Sequence, residues 1–371
     1  MAAGLSATAV PRLVQAQGAS QPALTPGPPG RPGRHRVDEP ASIEVNARPL
    51  PSFDIRDRAR TRFGSLEYRS GLILTSSFAG FGGLSALRLD AKGERFIAVS
   101  DQGTWFTGRI VYRGREMAGL DDVELREAHF TLERLRAVKS PAELDLIREA
   151  SERVVDAMLA TFRNCVPGMT KNEVVARLRH EEQARDLVFE YCLIAAGNSH
   201  NRAPSNQRLA EGDVISIDSG GNYRGYIGDL SRMGILGEPD SELRELLHEV
   251  EDIQQAARRV IRPGAMGGDI IAAGEAMVKS SPNRAVLDFT AHGIGLVSHE
   301  APRLTATGPV PYTPYDADRP LEPGMVISIE TALLHPARGY IKLEDTLIVT
   351  ETGWEAPGDH GREWNSSRLM A

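Results

Sequence analysis

The hydrophobic pattern divides the chain into two unlike stretches. From about residue 66 to 125, apolar residues come in short runs separated by turn residues. Runs 84–89 and 95–100 flank Asp90-Ala91-Lys92-Gly93-Glu94, and run 109–113 sits between Gly108 and Gly114. Such runs predict strands joined by tight turns. Near Phe130 the period changes. Ser140-Pro141-Ala142-Glu143 is a capping box with proline at the first helical position. Leu144, Ile147, Val154, Met158 and Phe162 then recur at helical spacing until Pro167-Gly168. Thr170 and Glu173 make a second capping box, with Val174, Val175 and Leu178 on one face. Run 188–196 predicts an apolar strand, 241–261 a long amphipathic helix stopped by Pro263-Gly264, and 268–279 a further helix. Residues 285–350 return to strands. Helices and antiparallel hairpins in such blocks predict an α+β fold. The expected divisions are a linker over 1–60, a β-rich segment over 61–129, a main domain over 130–358 and a C-terminal tail over 359–371.

Residues 213–232, DVISIDSGGNYRGYIGDLSR, read as a hairpin with one acid on each strand. The midpoint of Asp218 and Asp229 falls between Tyr223 and Arg224. A reversal there sets the two acids directly across the ladder, with Cβ atoms ~5 Å apart. Carboxylates that close repel unless a cation lies between them. Gly220, Gly221, Gly225 and Gly228 crowd the same hairpin, as where something approaches the backbone closely. Residues 325–330, MVISIE, nearly repeat DVISID, and a turn at 335–339 sets Glu330 opposite Glu344. Alternation keeps Ile327 and Ile329 on one face and Ser328 and Glu330 on the other. Two hairpins of one design imply a pseudo-twofold arrangement. Between them stands Ala291-His292-Gly293-Ile294-Gly295. A lone histidine of this kind is ordinarily a core residue, and acids on a hairpin are ordinarily solvated. Four carboxylates with one imidazole suit a pair of divalent ions instead. Oxygen-rich ligation favours Mn²⁺, with Zn²⁺, Co²⁺ or Fe²⁺ able to occupy the same set.

Composition narrows the classes. A net charge of −7 over 371 residues argues against a general nucleic-acid binder. No apolar run nears the ~18 residues of a membrane span. Two cysteines, Cys165 and Cys192, make no disulfide framework and are expected as buried thiols. Residues 2–17 read like the end of a signal peptide without its basic start, so export is not expected and the placement is cytoplasmic. Residues 21–40, rich in Pro, Gly and Arg, are expected to be disordered.

Asp218 and Asp229 with ten residues between, HGIG with a second histidine seven on, then SIET and KLEDT, together resemble one family. It is the family of prolidase, aminopeptidase P, creatinase and methionine aminopeptidase, and the likeness spans about residues 130–350. The resemblance implies the pita-bread fold and a dinuclear metallopeptidase. By position Asp218 ligates one ion, His292 and Glu330 the other, and Asp229 and Glu344 bridge them. Glu330 is then the general acid–base, and His299 holds the substrate or the developing oxyanion. Proline-directed members use a further histidine upstream. Here that interval lands on Asn201, with His200 beside it as the candidate. Lys342 stands where relatives often carry arginine, and lysine cannot make the same bidentate contact. The implied activity is hydrolysis of Xaa-Pro bonds in small peptides, of aminopeptidase P or dipeptidase type, with a homodimer as the candidate assembly. The alternatives are a catalytically silent peptide-binding module and a metal-assisted hydrolase of a non-peptide C–N bond. Residues 81–110, FGGLSALRLDAKGERFIAVSDQGTWFTGRI, resemble the opening of the phytase-type, esterase-like β-propeller family. They leave room for one or two blades of the ~4–8 that close a ring. The expectation is an inactive fragment where prolidase and aminopeptidase P carry an α/β domain.

Overall fold

A computed structural model describes residues 41–367 except 79, 102, 128 and 306–312. The signal-like run, the stretch over 21–40 expected to be disordered and the last four residues of the expected tail lie outside the described residues. The chain divides into two compact units, Met1–Glu127 and Ala128–Ala371.

The described part of the first unit is β-structure. Its main sheet runs in the order Ala41–Ser42, Glu116–Glu127, Thr104–Arg113, Arg95–Ser100, Leu84–Leu89. Ala98, Phe106, Ile110, Val123 and Leu125 are buried in it. The linker expected to reach residue 60 therefore ends sooner. Ala41 and Ser42 pair with Leu125 and Glu124, and Asn46–Pro49 pairs with Leu72–Thr75. A sheet edge offers unpaired backbone groups that a polar segment can satisfy whatever its composition. The propeller expectation is not borne out. Among the described residues the four-stranded meander occurs once, is extended by a fifth short strand, and does not repeat as blades.

The second unit opens with helices α1 (His129–Ala137), α2 (Pro141–Phe162) and α3 (Lys171–Gln183). Both expected capping boxes are formed, at Ser140/Glu143 and Thr170/Glu173. Strand Val188–Ala196 and the first hairpin, Val214–Tyr223 with Tyr226–Ile235, follow. Then come α4 (Ser241–Val260), α5 (Gly267–Ser280), strand Leu287–Gly293 and the second hairpin, Val326–His335 with Gly339–Val349. Apart from α1, each half of the unit is thus two helices followed by three strands. The sheet order is 188–196, 214–223, 226–235, 339–349, 326–335, 287–293. The second half appears in reverse, so the halves meet antiparallel at Ser231 and Glu344 about a pseudo-twofold axis.

The two larger of three apolar cores lie against the helices. Ile215 and Ile217 belong to one, and Ile327, Ile329, Ile341 and Leu343 to the other. On α4, Leu243, Leu246, Leu247, Val250, Ile253 and Ala257 supply the matching apolar stripe. Because strand side chains alternate, this burial sends Asp218, Glu330 and Glu344 to the opposite face. The expected tail is instead built into the unit. Asn365–Ser366 pairs in parallel with Gly234 and Ile235, and Trp364 is buried. Arg362 pairs with Asp345 and Asp359. The buried Asp345 carboxylate requires such cations, and only the folded sheet places it beside residue 362.

Candidate metal centre

The register lines up one row across five strands. Asp218 is opposite Ser231, Ser231 opposite Glu344, Glu344 opposite Glu330, and Glu330 opposite Thr290. Asp229 stands two residues before Ser231 and His292 two after Thr290, so both share that face. The structure thus brings Asp218, Asp229, His292, Glu330 and Glu344 together. Ligand atoms of Asp229, His292 and Glu344 lie within 4.8 Å of one another, as do those of Asp218, Glu330 and Glu344. All but Glu330 are buried.

Two details differ from the sequence reading. Asp218 and Asp229 are diagonal rather than directly opposite, because Asp229 faces Gly220. Tyr223 and Tyr226 close the ladder, so the turn is Arg224-Gly225, at φ +53° and +100°. A two-residue hairpin turn of this hand needs positive φ at both positions, which moves the reversal one residue on. Secondly, what approaches the hairpin glycines is protein. The Tyr191 ring covers Gly220, and the α2 backbone at Ala150 and Ser151 covers Gly228.

Gly293 places the second histidine. Its N–H donates to Pro302 O at 2.9 Å, and Glu300 N–H donates back to Gly293 O at 2.9 Å. A Cβ at Gly293 would stand 2.3 Å from the Ala301 carbonyl carbon, so only glycine admits this return. The return lays the His299 ring on that of His292, with centroids 3.9 Å apart and planes at 20°. Lys139 Nζ, 2.9 Å from Glu300 Oε1, pins the loop from within.

Charge in the row is unevenly answered. Burial raises Asp229 well above the usual carboxylate range, and Glu344 and Asp218 push it further. Burial also raises Asp218, against the pull of Lys342. For Glu344 burial is outweighed by Lys342 and His292, which hold it far below its ordinary value. Burial and the neighbouring His292 lower His299 to about 4, so its imidazole is neutral. Ser328 Oγ donates to Glu344 Oε1 at 2.8 Å and fixes that carboxylate. Two buried atoms, Asp229 Oδ1 and His292 Nε2, have no hydrogen-bond partner. His292 Nε2 lies 3.6 Å from Glu344 Oε1 and 3.8 Å from Glu330 Oε1. A carboxylate oxygen and an imidazole nitrogen left unsatisfied beside further carboxylates form a donor set for a divalent cation. On this count the residues fit a metal.

His200 is not brought into the row. Its Nε2 is 3.0 Å from His335 O, in the exposed turn of the second hairpin. Asn201 spends its side chain on the Ala203 N–H. The loop residue that does arrive is Arg202, which pairs with Asp218. Sequence reasoning missed it. The available signal was its isolation, as the only residue between Glu190 and Arg208 with a permanent charge. Lys342 also reaches the row, at 2.6 Å from Asp218 Oδ2 and 2.5 Å from Glu330 Oε2.

The sequence profile of metallopeptidase family M24 matches residues 145–351. The chain belongs to this family. The fold is accordingly the pita-bread fold, and the family is dinuclear-metal dependent. The profile leaves the first unit outside its match, so the propeller likeness finds no support there. A probable dipeptidase PepE of Mycobacterium bovis is 34% identical over 230 residues, covering 60% of this chain and 58% of the relative. An Xaa-Pro dipeptidase of Pyrococcus furiosus is 28% identical over 250 residues, covering 64% and 66%. The crystal structure of an X-Pro aminopeptidase from Thermotoga maritima superposes with a TM-score of 0.58 at 25% identity, over 64% of this chain and 66% of that one. The chain therefore spans somewhat under two thirds of the curated relatives it matches. Among the described residues no helix is long and apolar enough to cross a membrane.

Proposed function

We propose that this chain is a metal-dependent peptidase that hydrolyses Xaa-Pro bonds in small peptides. One observation carries the reading: Asp229 Oδ1 and His292 Nε2 are buried and unpartnered, in residues whose ligand atoms cluster with those of Glu344. The names of the relatives, dipeptidase, Xaa-Pro dipeptidase and X-Pro aminopeptidase, support the substrate class. Ligands are drawn from Asp218, Asp229, His292, Glu330 and Glu344, and the oxygen-rich set favours Mn²⁺. Divalent ions held there would polarise the scissile carbonyl and acidify the attacking water near neutral pH.

The chain's own residues do the rest. Glu330, the least buried of the five, takes the proton of the attacking water and returns it to the leaving amine. His299, neutral and stacked on His292, offers an N–H to the substrate carbonyl oxygen. Ser328 keeps Glu344 oriented. The test is a panel of Xaa-Pro dipeptides and tripeptides, with matched Xaa-Ala controls, assayed with Mn²⁺, Zn²⁺, Co²⁺ and Fe²⁺ added in turn. The expected result is metal-dependent turnover with a proline preference in kcat/KM. No turnover with any ion overturns the reading.

The cations Lys342 and Arg202, which answer carboxylates without any metal, favour a second reading, a catalytically silent peptide-binding module. Calorimetry with a non-hydrolysable Xaa-Pro analogue separates the two. Metal-independent binding without turnover supports the second.

A further inference from the structure

The two trios of donors differ in what already answers them. Asp229, His292 and Glu344 leave two buried polar atoms without partners. Asp218, Glu330 and Glu344 instead surround an ammonium. Lys342 Nζ lies 2.6, 2.5 and 2.8 Å from one oxygen of each. This lysine is 2% exposed, so its ammonium is answered by those carboxylates rather than by bulk water. Register puts it there. Lys342 precedes Glu344 by two residues on one strand, and its neighbour across the ladder is Ala332, too small to deflect it. Arg202 brings a second cation to the same Asp218 oxygen.

We propose that the Lys342 ammonium, with Arg202 behind it, stands in for one of the family's two metal ions, so that the chain binds a single divalent cation at Asp229, His292 and Glu344. This rests on the metallopeptidase reading and narrows it. Charge supports it. Asp218, Asp229, Glu330 and Glu344 carry four negative charges. Lys342 and Arg202 return two of them, and one divalent ion returns the other two. The neighbouring Asp345 does not enter the count, since it faces the other side of the sheet and is met there by Arg232, Arg258 and Arg362. Against these four carboxylates a second ion would leave two positive charges in excess, beside an ammonium that is itself buried. Like charges that close in a poorly solvated site repel strongly.

Chelator-stripped full-length chain is titrated with Mn²⁺ by calorimetry and by electron paramagnetic resonance. The expected result is one Mn²⁺ per chain with the spectrum of an isolated ion, and any second ion at least ~100-fold weaker. Lys342→Met keeps the stem and removes the charge. It is expected to take up a second Mn²⁺ and to show an exchange-coupled spectrum. Asp218→Asn should weaken the single ion by no more than ~10–100-fold, as a neighbour of the ligands should, and Asp229→Asn, a ligand, at least ~10-fold more than that. Two tight, coupled Mn²⁺ ions in the unaltered chain overturn the inference and leave the peptidase reading standing. A folded Lys342→Met chain that still binds one ion also overturns it. Should that variant fail to fold, the unaltered chain and Asp218→Asn still decide. If the unaltered chain binds neither Mn²⁺, Zn²⁺ nor Co²⁺, both readings fall together.

Discussion

Glu182, near the end of α3, is fully buried behind the site. Its Oε1 lies 2.8 Å from Ser219 Oγ, and its Oε2 has no partner. Ser219 Oγ is also 2.8 Å from Tyr191 O. A hydroxyl has one hydrogen. With that hydrogen given to the Tyr191 carbonyl, a proton on Glu182 must fill the other contact. Burial accordingly pushes the Glu182 carboxyl up from 4.5 to about 8. Between those two values the folded chain keeps a proton that the unfolded chain has released. Stability is therefore greatest below the lower value and falls as pH rises, by ~1.4 kcal/mol per pH unit. From about pH 5 to about pH 7 the loss is roughly 2–3 kcal/mol. Glu182→Gln keeps the shape, donates to Ser219 through its amide, and does not titrate. The assay is urea unfolding of the metal-free chain and this variant across that range. Far-ultraviolet circular dichroism follows the second unit, which holds every helix among the described residues. The stability of the variant relative to the unaltered chain should grow by roughly 2–3 kcal/mol as pH rises, and titrations common to both chains cancel. Parallel profiles would refute the argument and place the proton on Ser219 instead.

A methyl group at Gly228 would stand 2.7 Å from Ala150 C and 2.8 Å from Ser151 N, so α2 must retreat. Gly228→Ala should cost about 1–3 kcal/mol in thermal unfolding, whereas Gly353→Ala, into open space, should stay within ~0.5 kcal/mol. His200→Ala should leave kcat/KM on an Xaa-Pro dipeptide within ~3-fold, and His299→Ala should lower it ~10²-fold or more. The reverse order would return the upstream role to His200. Removing residues 1–127 should leave one cooperative melt, since the three apolar clusters of the second unit contain no residue before Ala137. A broad, non-cooperative transition would show the first unit to be part of the same core.

Much of the second unit could be read directly. Capping boxes at Ser140 and Thr170 and the stripe on α4 act within a few residues, so local chemistry announces them. Alternation placed Glu330 and Glu344 on one face, and the central turn of the second hairpin set them opposite each other as expected. The first hairpin slipped by one residue because positive φ at Arg224 and Gly225 outweighed the symmetry of its two acids. Residues 359–371 read as a tail because the partners of its described part, Asp345 and Gly234, are distant in sequence.

Sequence by itself determined that Asp218, Asp229, His292, Glu330 and Glu344 form one candidate donor set, because residue type, alternation and turn spacing are short-range properties of the chain. Only the tertiary structure decided which cations meet them. Arg202 and Lys342 come to Asp218 from different elements, 140 positions apart in the chain, and their meeting there is a property of the folded sheet.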